Sequence, residues 1–175
     1  MATSLRDRIV ATGLALMGLS MATDAKADAV DDWRDRAVVA ANIAHQPLGM
    51  QGRAVSIVDL AMFEALNAIT PRYKTYLSHL NATPQASAQV AVAVAAHDVL
   101  VKLYQPQAAA LDQALATVLD TVVDDAQRRD GSKLCARAAA ALLFDRRGDG
   151  SKRPDNYRPA TMPGLYVLTV LPASY

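Results

Sequence analysis

The sequence predicts an all-α protein, a helical bundle of about five helices followed by an irregular Pro/Gly-rich tail. Three observations carry this. Apolar residues form 52% of the 175-residue chain while aromatics form only 5%, so Ala and Val supply much of the interior. Apolar residues recur at helical spacing in successive segments. Start and stop signals bound most of those segments. The length suits one domain, or one piece of a larger one.

The first helix is expected at about Asp31 to Ala44, where Trp33, Ala37, Ala40, Ala41 and Ala44 share a face. Asp31 and Asp32 suit its positive end, and Gln46-Pro47 with Gly49 ends it. The second is expected at about Arg53 to Ile69 and stops at Thr70-Pro71, because a residue before proline avoids the α region. The third opens on Thr83 as N-cap with Pro84 at the first helical position, and runs to about Tyr104. Its Val-Ala alternation could be a strand by period alone, but the cap, the Ala content and the length decide for helix.

The fourth helix starts at Pro106, with Leu111, Leu115, Val118 and Val122 as a one-sided stripe. The fifth runs from Gly131 or Ser132 to Arg147, with Arg146 and Arg147 in its last turn and Gly148 as its stop. Residues 149–175 read as an extended tail, with a short strand possible by pattern at Leu165 to Leu171. "RRDGSK" and "RRGDGSK", at Arg128 and Arg146, read as two helix-boundary turns of similar chemistry. Residues 28–148 are therefore the helical domain.

The N-terminus reads as an export signal over residues 1–27. Arg6 and Arg8 precede a short apolar run, Ile9 to Ala22, and Ala25-Lys26-Ala27 fits a cleavage site. The alternative is an ordinary N-terminal helix. Export implies a periplasmic or secreted protein, with no membrane segment after signal removal. The single cysteine, Cys135, excludes an internal disulfide framework and reads as a small buried side chain. With 18 Lys and Arg against 17 Asp and Glu, and no basic run, nucleic acid is excluded as the main partner.

The chemistry-bearing residues are few. His45, His79 and His97 form no metal-ligand spacing, and there is no CxxC, HExxH, GxSxG or phosphate-cradling glycine loop. His97, in an almost wholly apolar helix, reads as a hydrogen-bonded core residue. On the second helix Ser56, Asp59, Glu64 and Asn67 fall within an arc of about 140° that also holds Leu60 and Phe63. Polar groups interleaved with large apolar ones imply that part of this face is covered and needs partners. Arg72, just past the helix, is the nearest candidate for Glu64. Asp59, Glu64, Asn67, Arg72, Tyr73 and His97 are the polar residues singled out, in structural roles. An enzyme built on Glu64 and His97 lacks a third group to complete a recognisable constellation.

Four segments carry a family resemblance. "AMFEALNAITPRYKTYL" resembles the early helix of the vanadium-dependent haloperoxidase and type-2 phosphatidic acid phosphatase superfamily, and more closely its bacterial exported chloroperoxidase-like members. There an AMxxAxNAI helix is followed by Arg-Tyr and a further Tyr. "TPQASAQVAVAVAAHDVLVKLYQPQAAALDQAL" is similar to their Ala-rich helix, and "CARAAAALLFDRRGDG" to the next one. "YRPATMPGLY" resembles the proline-rich stretch before the second helical half. The resemblance runs from about Trp33 to Tyr166.

The resemblance implies a scaffold whose chemistry lies elsewhere. In the family a C-terminal half binds phosphate or vanadate through a Lys, an Arg-Pro, a Pro-Ser-Gly-His turn and a later Arg and His. This sequence has no Pro-Ser-Gly-His. Lys152 precedes Arg158-Pro159 at one residue short of the family's spacing, and in loop. No catalytic, cofactor-binding or metal residue carries over, and vanadate belongs to the family rather than to this chain. The expectation is an N-terminal helical portion, truncated or split, inactive alone, and docking with a separate catalytic half or with itself. The rival expectation is a self-sufficient periplasmic helical binding or interaction module.

Overall fold

The computed structural model describes residues 29–76, 80, 86–154 and 162–164. The expected export signal, the Thr83-Pro84 start, Arg158-Pro159 and the Leu165–Leu171 strand lie outside them. The described residues are all-α. They form α1 (29–43), α2 (Leu48–Ile69), α3 (Ala88–Leu103), α4 (Ala108–Asp120) and α5 (Asp125–Asp145). Short 3-10 turns occupy Gln105–Gln107 and Arg146–Gly148. No helix among the described residues is long and apolar enough to cross a membrane.

α3 is the axis of the packing. Val90 to Ala96, Val99 and Leu100 are all buried, so the helix has almost no face for water. A helix apolar all round must be covered by others. α2, α4 and α5 pack against α3, and α2 also meets α5. α1 adds Trp33, Ala37, Ala40 and Ala41 to the same core. Its Trp33 ring meets the His97 ring of α3 edge-on at 6.4 Å, and Arg34 Nε pairs with Asp59 of α2 at 3.1 Å.

The connections are tied by side chains. Tyr104 donates its hydroxyl to Gln46 Oε1 at 3.0 Å, joining the end of α3 to the α1–α2 turn. Gln107 Nε2 donates to the carbonyl of Ala40 at 2.9 Å, joining the 3-10 turn to the end of α1.

Three helix starts differ from expectation. α2 begins at Leu48, ahead of Arg53, because Pro47 stands at the N-cap position and its carbonyl accepts from Met50 and Gln51. Proline needs no donor partner there, and the fixed φ suits entry to a helix. Gly49 therefore lies inside α2 and does not end α1. α3 begins at Ala88, with Ser87 as its cap: Ser87 Oγ accepts from Val90 N at 3.3 Å. α5 begins at Asp125 and contains Gly131. Asp124 supplies the start, its carboxylate accepting from Ala126 N at 2.8 Å and its carbonyl from Arg128 N. An interior glycine costs a helix about 1 kcal/mol, which a cap and a buried stripe offset. The stripe here is Cys135, Ala138, Ala139 and Leu142. "RRDGSK" is thus helix interior, whereas the second similar segment does lie at a helix boundary.

α1 ends in a left-handed turn. Gln46 N donates to Ala41 O at 3.1 Å and His45 N to Asn42 O at 2.9 Å, with His45 at φ 51°. This double bonding pattern satisfies the last carbonyls and favours glycine at the left-handed position. His45 is exposed. His45→Gly is expected to stabilise the fold by about 0.5–1 kcal/mol, since it removes left-handed strain and no contact. Urea unfolding of the two proteins checks this; an unchanged or lower midpoint contradicts it.

Candidate functional site

The C-terminal end of α2 is the first candidate. Glu64 is 2% exposed and Asn67 5%, the buried polar residues of the described core. After Pro71 the chain passes the end of the helix through largely exposed residues whose backbone N–H groups are part-buried and find partners on α2. Asn67 Oδ1 accepts from Arg72 N and Tyr73 N, each at 3.0 Å, and Asn67 Nδ2 donates to Tyr73 O at 2.8 Å. Glu64 Oε1 accepts from Tyr76 N at 2.5 Å. The two side chains form a clamp on residues 72–76.

The clamp corrects one expectation. Arg72 was the candidate partner for Glu64 through its guanidinium. Arg72 is exposed, and what it contributes is its backbone N–H, to Asn67. Tyr73 is 71% exposed and its ring stands 6.2 Å from that of Phe63. Asp59 sits farther up the same arc, half-buried and paired with Arg34. The arc is therefore graded, open at Ser56 and closed at Glu64 and Asn67. Asn67 also borders a cavity of about 330 Å³, but its oxygen and its nitrogen are already engaged by backbone.

His97 is the second candidate. Its Nδ1 lies 3.0 Å from Asp98 Oδ1 and its Nε2 2.7 Å from Asp112 Oδ1, so both nitrogens are taken and neither serves Glu64. The side chain is 12% exposed. The hydrogen bond with Asp98 raises the imidazole pKa above its ordinary value, and Asp112 adds to that; burial opposes both and loses. Protonated, His97 bridges α3 to α4. That bridge matters because α4 buries only Leu111 fully. Cys135, packed beneath, is fully buried, and burial pushes its thiol up to about 12, which leaves it unreactive.

The third place was not foreseen. A cavity of about 560 Å³ opens at one end of the bundle, between the start of α2 and the ends of α3 and α5. Five cations line it: Arg53, Lys102, Arg146, Arg147 and Lys152. Arg53 Nε pairs with Asp149 at 2.7 Å and its Nη2 donates to Arg146 O at 3.1 Å. Arg146 donates to the Tyr76 hydroxyl, stands 5.7 Å over that ring, and pairs with Asp145 at 3.5 Å. The backbone N–H of Ser151 holds the Asp149 carboxyl well below the usual carboxylate range; the Ser151 side chain and Arg53 add to this. Arg146 and Arg147 looked like ordinary helix-end cations. Arg53 and Lys102 are distant in sequence, so only the packing of α2 on α3 and α5 gathers them.

Among the described residues no group of three or more His, Cys, Asp or Glu could hold a metal ion. No family model, curated protein or solved structure matches the chain.

Two measurements test the site. Asn67→Ala is expected to cost about 1–3 kcal/mol, because it removes three part-buried hydrogen bonds to backbone at once. Hydrogen exchange should show the Arg72 and Tyr73 amides losing protection first; retained protection contradicts the clamp. For His97 the folded pKa is raised, so its stabilisation is complete below the unfolded value near 6.5 and is lost as pH rises through the folded value. The stability gap between wild type and His97→Gln should therefore be largest below the unfolded value near 6.5 and shrink as pH rises through the higher folded value. A constant gap removes the charged bridge.

Proposed function

We propose that this chain is the N-terminal helical scaffold portion of an exported haloperoxidase- or acid-phosphatase-like protein. It has no peroxidase or phosphatase activity by itself, and a catalytic half is supplied separately or by association of copies. The sequence motifs between Trp33 and Tyr166 support this, and one observation carries it. The buried polar residues of the motif-bearing helix serve backbone: Glu64 holds Tyr76 N and Asn67 holds residues 72–73. Groups spent on the fold in this way position a frame and do not move protons on a substrate.

Vanadate does not fit the residues present. It requires a histidine for its covalent bond and several donors around an oxyanion. Among the described residues the cation-lined cavity has no histidine in its wall, and His97 is held between two carboxylates that would repel an oxyanion.

The test is direct. The purified chain is given vanadate, hydrogen peroxide and bromide, and separately p-nitrophenyl phosphate. Neither halide oxidation nor ester hydrolysis is expected until a polypeptide with a Pro-Ser-Gly-His turn is added. Turnover by the chain alone overturns the scaffold reading. A second reading, a helical binding module, is favoured by the cation-lined cavity.

A further inference from the structure

We propose that the cavity between α2, α3 and α5 binds a small organic carboxylate, with an apolar body against the apolar part of its wall and the carboxylate on its cations. The inference deepens the binding-module reading and rests on it, independently of the family resemblance. It starts from a division among the five cations. Arg53 is neutralised by Asp149 and Arg146 by Asp145. Among the described residues, Lys102, Arg147 and Lys152 have no carboxylate partner. Three uncompensated positive charges around one concavity repel each other and raise the local concentration of anions.

The cavity is also partly apolar. Met50, Ala54, Leu103, Ala140, Leu143 and Phe144 supply the apolar part of its wall, with Ala140 and Phe144 on the exposed side. A bare inorganic ion would leave that surface wet; an organic body covers it. Phe144 is 67% exposed and carries the Arg147 guanidinium 3.6 Å over its ring centroid. Arg147 Nε donates to Phe144 O at 3.3 Å, so the guanidinium plane is fixed in advance. A planar fork held flat suits a planar carboxylate.

The last residues of α3 and α5 line the cavity, and helix C-termini carry partial negative charge. Only α2 presents its N-terminal turns. These partial charges largely offset one another, which leaves the three side-chain cations as the attraction for an anion.

The experiment is calorimetric titration of the full chain with 2-naphthoate, the uncharged 2-naphthamide and inorganic phosphate. Saturable one-site binding of naphthoate is expected, at least about tenfold tighter than naphthamide and weakened by salt. The double variant Lys102→Gln/Arg147→Gln changes exposed side chains and should lose about tenfold in naphthoate affinity. Arg129→Gln, about three helical turns away along α5, should lose none. If naphthamide binds as tightly and the double variant is unaffected, the carboxylate inference falls while a binding module stands. If phosphate binds as tightly as naphthoate, the apolar body is not recognised and the inference falls. If none of the three binds, the inference and the binding reading fall together.

Discussion

The structure depends on burying α3. From Val90 to Ala96 no residue faces water, so two full turns must be covered on every side. This segment of α3 has no solvent face of its own, and neighbouring helices contribute the apolar stripes that cover it. The side chains of α3 are mostly Ala and Val. They let neighbouring helices approach closely but bury little area each, so stabilisation is spread over many small contacts. The few large buried groups, Trp33, Met62, Leu100 and Leu142, fill the gaps between helices. A core of this kind tolerates little misplacement of its chain turns.

That is why the turns are held by side chains. The stretch after Pro71 runs past the end of α2 on the surface, and its part-buried amides take partners from that helix. Glu64 and Asn67 supply them from the helix just completed; at the other connections Gln107 donates to the Ala40 carbonyl and Tyr104 to the Gln46 side chain. The polar groups buried in the core are thus a consequence of how its connections are routed. An isolated carboxylate in an apolar helix suggests catalysis by residue type; its hydrogen bonds assign it to backbone.

The helical class and the interleaved arc on α2 were legible because both are periodic properties. The stripe of α1 and the stop at Thr70-Pro71 were legible for the same reason, as local chemistry. The starts of α2, α3 and α5 were less so. Ser87 and Asp124 are capping residues as good as any, but Thr83-Pro84 and Gly131 gave stronger isolated signals. Competition between nearby signals is settled by which residue the packed stripe brings into register, and a sequence shows the signals without the packing. Glu64's partner was misread for a related reason: ion pairing is the first thought for a carboxylate and an arginine, while backbone N–H groups are invisible in a list of side chains. The cation-lined cavity was hidden most deeply, since Arg53, Lys102 and Arg146 meet only after three helices pack.

The ion pairs of the molecule divide into two kinds by their response to protons. Asp149 is held ionised by Ser151 and Arg53, so its stabilisation is present above its unfolded pKa and is lost only as pH falls through a still lower folded value. The Arg53 contact that joins α2 to the end of α5 therefore persists across ordinary pH. The His97 bridge between α3 and α4 behaves in the opposite sense, strongest in mild acid and fading as pH rises. The first pair lies beside the cavity and satisfies Arg53, as Asp145 satisfies Arg146, which leaves Lys102, Arg147 and Lys152 for other partners. The second secures α4, the helix with least burial of its own. A change of pH near neutrality thus loosens the α4 side of the bundle and leaves the cavity's frame intact, so the two parts of the molecule respond separately to a common condition.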